Sequence, residues 1–244
     1  MIPDTIKDFF EETNFIFDYK KINPPELNNE YEMLEWILHE SNMPYLPLYI
    51  PGAPYDEMLK EAKKIDHLYS EHRITKNSSG QYESYGWSSA CIHGIEWNKT
   101  ENYDKYTPYS SGPESEVPYD WCEEITSLCP ITTNFFKNIF PATGYRRVRF
   151  MKLAPGGFIN PHVDMKKPLL YAINIALNNP TGCNFRMLNK GNVPFQIERA
   201  CAVDTSNKHS VWNNSNETRY HIIVHGKYGA EYKDFMLNSF KRLR

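Results

Sequence analysis

The sequence predicts a mostly β protein, with helices flanking one β-core of sandwich or jelly-roll type. Two observations carry this. From Tyr145 onward, short runs rich in β-branched and aromatic residues follow one another between turn residues: "YRRVRFMKLA", "PLLYAINIAL", "CNFRML", "VPFQIE", "ACAVDTS" and "TRYHIIVHG". Six such strands at short spacing fit a sandwich or jelly roll. Before them the texture differs, and residues 1–140 read as a helical and loop-rich N-terminal part. At 244 residues and 41% hydrophobic content the chain can build a real core. One domain is expected over 1–244, with the β-core at 145–228.

The elements follow in order. "NNEYEMLEWILHES" places Met33, Leu34, Ile37 and Leu38 at helical spacing behind asparagine caps. "APYDEMLKEAKKIDHLYSEH" does the same with Met58, Ala62, Ile65 and Tyr69. Between them the four prolines of "MPYLPLYIPGAP" demand an extended or turning connector. Asn77 to Gly80 marks a turn. "KTENYDKYTPYSSGPESEVP", Lys99 to Pro118, reads as a surface loop. Loops of that length are uncommon unless they serve a site, so its tyrosines Tyr103, Tyr106 and Tyr109 either shape a lid or face solvent. "TTNFFKNIF" is helical and ends before Pro141.

Composition removes several function classes. The net charge is −3 and no long basic run exists, so no nucleic-acid partner is expected. No apolar run is long enough to span a bilayer, and no membrane partner is expected. The acidic N-terminus lacks a signal-peptide pattern. The five cysteines lack C-x-x-C spacing, which argues against a disulfide framework or a zinc ribbon. Reduced, buried thiols in a cytoplasmic protein are the expectation.

The chemistry concentrates in four residues. "GGFINPHVDM" sets His162 and Asp164 two apart behind a Pro-Gly-Gly turn, and His209 follows 45 residues after Asp164. Two histidines and one carboxylate on one face are the ligand set of non-haem Fe(II) oxygenases. A bare H-x-D is weak evidence, since a turn histidine capping a strand gives the same spacing. Arg219, ten residues past His209, strengthens it. In "TRYHIIVHG" the residues Arg219, His221, Ile223 and His225 alternate onto one face, and Tyr220, Ile222 and Val224 onto the other. An arginine turned into a β-core needs an anion, and a guanidinium suits a carboxylate bidentately.

"RVRFMKLAPGGFINPHVD", "INIALNNPTGCNF" and "VDTSNKHSVWNNSNETRYHIIV" resemble the aspartyl/asparaginyl β-hydroxylase family of Fe(II)/2-oxoglutarate-dependent oxygenases. The similarity runs from Tyr145 to Gly226, and "GWSSACIHG" extends it upstream. It implies a double-stranded β-helix, a cupin-like jelly roll, with Fe(II) on His162, Asp164 and His209. It also implies 2-oxoglutarate as co-substrate, its distal carboxylate on Arg219, and O2 as oxidant. The expected reaction hydroxylates a C–H bond of an amino acid or amino-acid residue, with 2-oxoglutarate converted to succinate and CO2. The chain departs from the family at four places. Asp164 completes a triad whose carboxylate the best-known members lack. Met151 stands where they have a serine that contacts 2-oxoglutarate. Ala172 and Asn174 replace an arginine and a histidine, which weakens the case for an acidic peptide substrate and leaves Asn174 to hydrogen-bond the co-substrate.

Neighbouring residues have two readings each. His221 either donates to the co-substrate carboxylate or is a satisfied core histidine; His225 reads as structural. Trp87 is a pocket wall or core, and Trp212 packs beneath the metal strand. Arg147 and Arg149 share a face, and if that face is the pocket, one of them is an anchor for a substrate carboxylate. Two rivals remain: a cupin-like metal-dependent dioxygenase or isomerase not using 2-oxoglutarate, which would need no arginine ten past its last ligand, and a non-catalytic relic of the fold. The substrate partner is expected to be a small molecule or peptide, amino-acid-like.

Overall fold

The computed structural model describes residues 2–11, 17–73 and 83–244. Helices α1 (Asp4–Phe10) and α2 (Glu30–Glu35) precede strand β1 (Tyr45–Leu48), and α3 (Tyr55–Lys64) leads to β2 (Ser70–Glu71) and β3 (Ser84–Gly94). Next come β4 (Asp120–Trp121), α4 (Glu123–Thr126) and α5 (Pro130–Asn138). The β-core is β5 (Gly144–His162), β6 (Leu170–Ala176), β7 (Cys183–Met187), β8 (Gly191–Asn192), β9 (Ala200–Asp204), β10 (His209–Asn213) and β11 (Arg219–Lys227), closed by α6 (Ala230–Arg242).

The pairing is antiparallel throughout. One run is β9-β6-β11 and the first half of β5; the other is the second half of β5 with β10, β7 and β8. Two four-strand runs sharing one bent strand make a double-stranded β-helix, curled like a half-barrel with helices on its flanks. The expected Pro-Gly-Gly turn is in fact the corner of β5, which stays a strand while it changes sheets. Gly156 takes φ +71°, and a Cβ on Gly157 would lie 2.8 Å from the Ala154 carbonyl oxygen. Buried Asn213 seals the corner, its amide donating to the carbonyls of Leu153, Ala154 and Glu217 at 3.0, 3.1 and 2.8 Å.

Several sequence expectations need correction. The N-terminal part is not only helical and loop-rich: it supplies β1 to β4, and β3 pairs with β5 from Ser84↔Ile159 to His93↔Val148. Its "SYGWSSACIHG" lacks alternation because it is buried on most of both faces. The proline connector is extended, as expected, and joins the sheet as edge strand β1, where Pro47 is tolerated. The helix expected to reach Tyr69 stops at Lys64, and Tyr69 instead packs edge-on against Tyr220. "VPFQIE" is not a strand. Pro194 cannot donate to a ladder, and Val193 to Ile197 form turns closed by Phe195 N–H on Val193 and Ile197 N–H on Pro194.

Other expectations hold. α2 is capped by Asn29, whose side chain accepts from the Glu32 N–H, while Glu32 accepts from the Asn28 N–H. Ile222 and Val224 are fully buried on the core face of β11. All five cysteines are free and buried. The turn expected at Asn77 to Gly80 lies outside the described residues. Among the described residues no helix is long and apolar enough to cross a membrane.

Candidate active site

The corner of β5 brings its last residue beside β10. His162 and His209 are directly paired, with ring centres 4.3 Å apart. Each imidazole gives its Nδ1 hydrogen to a backbone carbonyl two residues earlier: His162 to Asn160 at 2.7 Å, His209 to Asn207 at 2.8 Å. A carbonyl can only accept, so the Nε2 lone pairs are left facing the site. Asp164 is held by its own N–H on the Thr205 carbonyl at 3.0 Å. Its carboxylate oxygens lie 3.4 Å from His162 Nε2 and 3.7 Å from His209 Nε2.

Burial, and then the neighbouring His162, push His209 down to about 4, so it is neutral at physiological pH. Burial alone would raise the Asp164 carboxyl; the His162 hydrogen bond and the charges of His162, Arg73 and His209 outweigh it and hold it well below the usual range. Two imidazole lone pairs and a carboxylate, with donor atoms within 4.8 Å of one another, form a site that a cation satisfies. Imidazole and carboxylate in this ratio fit Fe(II), and the carbonyls behind the histidines fix their orientation as metal sites require.

The triad opens into a cavity of about 470 Å³ that also contains Arg219, His221, Asn174, Arg147 and Arg149. Arg219 is 1% exposed. Its Nη1 donates to His221 Nδ1 at 3.0 Å, its guanidinium lies 5.5 Å from the Phe195 ring centre, and its Nη2 is buried with no partner. Burial lowers the Arg219 pKa, yet a guanidinium stays charged, so this end of the cavity is suited to an anion. His221, kept neutral by burial and then by the Arg219 and Arg149 charges, is an acceptor bracing the arginine. Asn174 stands opposite Ile223 on the same inner face, and Met151 opposite His221.

The two-way readings now resolve geometrically. Trp87 lines the cavity, and so does His225, for which the sequence favours a structural role. Trp212, on β10 with His209 but outside the cavity lining, packs edge-on against Phe10 of α1, 5.7 Å between ring centres. Arg147 and Arg149 face the cavity. Of the long loop, Glu101, Asn102 and Lys105 line the cavity, whereas the Tyr106 hydroxyl accepts from the Glu101 N–H at 2.9 Å. Two cavity residues had no sequence signal. His72 shares its Nδ1 with Ser89 and Thr100, each at 3.0 Å, and Arg73 reaches Asp164 at 3.4 Å. Both sit at the end of what read as a helical run, and only the β2–β3 pairing turns them inward.

A double-stranded β-helix with two imidazoles and a carboxylate opening onto a buried, unpaired arginine has the architecture of a non-haem iron, 2-oxoglutarate-dependent hydroxylase. Residues 53–227 match the model of the aspartyl/asparaginyl beta-hydroxylase family, and the chain belongs to that family. Among solved structures, a prolyl hydroxylase of Trichoplax adhaerens in complex with a hypoxia inducible factor peptide fragment is similar at 11% identity. The alignment covers 87% of this chain and 91% of that one, with a TM-score of 0.41. A prolyl-4-hydroxylase of Pseudomonas putida aligns at 14% identity, 82% and 100% coverage and TM-score 0.39. A 2OG-Fe(II) oxygenase family oxidoreductase of Burkholderia pseudomallei aligns at 15%, 88% and 98%, and 0.38. No curated protein matches the chain.

Proposed function

We propose that His162, Asp164 and His209 hold Fe(II), and that Arg219 holds the distal carboxylate of 2-oxoglutarate. The substrate is an amino acid or an amino-acid residue, hydroxylated at a C–H bond. One observation carries the reading: the unpartnered Nη2 of buried Arg219 shares a cavity with three metal-ligating groups. When bound, iron and 2-oxoglutarate activate O2, giving hydroxylated substrate, succinate and CO2. The residues of the chain supply the rest. Asp164 contributes a single negative charge, leaving the metal able to accept an anionic chelator. His221 fixes the Arg219 fork, and Asn174 is within the cavity to hydrogen-bond the co-substrate. Met151, fully buried opposite His221 on the inner face, packs behind this end of the site.

The test is anaerobic absorption spectroscopy of apo-protein titrated with Fe(II) and then 2-oxoglutarate. A metal-to-ligand charge-transfer band that needs His209 and demands more 2-oxoglutarate in Arg219→Ala supports the assignment. Iron binding without the band would instead favour a cupin-like dioxygenase or isomerase that does not use 2-oxoglutarate. No iron binding would make the triad a relic.

A further inference from the structure

We propose that the molecule hydroxylated is a small carboxylic acid of the free amino-acid class, its carboxylate bound by Arg149. This rests on the function proposed above and adds the substrate class.

The charge balance of the cavity points there. Arg73 and Arg146 have carboxylate partners, Asp164 at 3.4 Å and Glu114 at 2.6 Å. Arg147, Arg149 and Arg219 have none. Arg147 donates to the Glu101 carbonyl at 2.5 Å and the Asn102 side-chain oxygen at 3.3 Å, and Arg149 to the Thr100 carbonyl at 2.6 Å. Three guanidiniums in one cavity of about 470 Å³ are thus uncompensated by carboxylates among the described residues. The distal carboxylate of one 2-oxoglutarate neutralises one of them. Buried charge without a counter-ion is costly, so a second anion is called for.

Position separates the two anion sites. Arg219 stands opposite Leu153 and Arg149 opposite Ile223, all on the inner face of the β5–β11 pair. Four residues along the ladder is about 13 Å, too far for one carboxylate to serve both arginines. Arg149 is also the built one. It is 6% exposed, Thr100 holds its Nη1, and its Nε is buried with no partner.

The size class follows from the loop and the cavity volume. Thr100, Glu101 and Asn102 are fastened across Arg149 and Arg147 by the hydrogen bonds above, walling this end of the cavity. A cavity of about 470 Å³ has room for 2-oxoglutarate and one further molecule of amino-acid size, which favours a free acid over a polypeptide. Ala172, on β6 across β11 from the arginines, is among the small residues lining the cavity.

The test is calorimetric binding to the protein loaded with Mn(II) and 2-oxoglutarate, using the common free amino acids and their carboxamides. At least one acid should bind, its carboxamide and the Arg149→Gln variant should each weaken binding by about 30-fold or more, and Arg149→Lys should recover part of it. The affinity of Arg149→Gln for 2-oxoglutarate should stay within about 2-fold of wild type, since Arg219 supplies that contact. If Arg149→Gln does not fold, Arg147→Gln and the acid-against-carboxamide comparison on wild type carry the test. Equal binding of acid and carboxamide overturns the proposal. So does binding of capped peptides alone, or of nothing in the panel, or an Arg149→Gln defect confined to 2-oxoglutarate. Failure of 2-oxoglutarate to bind wild type would strike the function itself, a distinct result.

Discussion

His162 and His209 face each other across the β5–β10 pair, and each gives its Nδ1 hydrogen to the carbonyl two residues before it, Asn160 and Asn207. The same short-range device on two strands presents two Nε2 lone pairs to one point, beside the Asp164 carboxylate. Asp164→Ala should therefore weaken Mn(II) binding by about 100-fold. Asp164 is partly exposed, so thermal stability of the apo-protein should stay close to wild type. Manganese EPR titration reads the affinity, and an unchanged value would take Asp164 out of the ligand set.

Arg219→Gln should raise the half-saturating 2-oxoglutarate concentration by about 30-fold or more, because it removes a charge-assisted contact in a dry site. Its metal affinity should not move. His221→Phe should give a smaller shift of the same sign, since His221 only braces the guanidinium. Equilibrium dialysis with labelled 2-oxoglutarate distinguishes them, and a larger effect for His221 would reverse their roles.

Glycines at the β5 corner separate strain from collision. A Cβ on Gly157 would sit 2.8 Å from the Ala154 oxygen and 2.9 Å from the Tyr85 oxygen, both backbone atoms. Gly157→Ala should cost about 3 kcal/mol. Gly156, at φ +71° with nothing within 4 Å, should cost only about 1 kcal/mol as alanine. Urea unfolding of the two variants ranks them, and equal costs would mean the corner relaxes.

Acid should destabilise the apo-protein through its buried histidines. Burial first, and then neighbouring arginines, hold His72, His221 and His225 well below the ordinary histidine range. In the fold they stay neutral as pH falls, while in the unfolded chain they protonate near pH 6.5. The unfolded state then binds more protons, so stability is complete above about pH 6.5 and declines below it. His72 and His221, both buried, each contribute a slope of up to about 1.4 kcal/mol per pH unit, and half-buried His225 contributes less. Urea midpoints at several pH values between 7.5 and 5 measure this, and a flat profile would show that these histidines are charged in the fold.

Much of this was legible along the chain, for local reasons. Strand alternation in "TRYHIIVHG" put Arg219 and His221 on one face, because side-chain period is a property of the backbone alone. The triad and its arginine could be named from spacing, since each lies at a strand end or on a strand with a clear pattern. β3 could not, because a strand buried on both faces loses its alternation, and its serines and glycine mimic a loop. Nor could the failure of "VPFQIE", where hydrophobic content suggested a strand and Pro194 forbade the ladder.

What the sequence by itself determined was the donor set His162, Asp164 and His209, the inward Arg219, and a β-core after Tyr145. Whether Arg147 and Arg149 faced ligand or water was decided only by the tertiary structure. Alternation says that two residues share a face, but which face is enclosed depends on the strands paired on either side. Here β3, β11 and the Thr100–Asn102 segment close over that face, drawing His72 and Arg73 in with them. Burial then turns Arg149 into a charge that needs a partner, because low-dielectric surroundings no longer supply one.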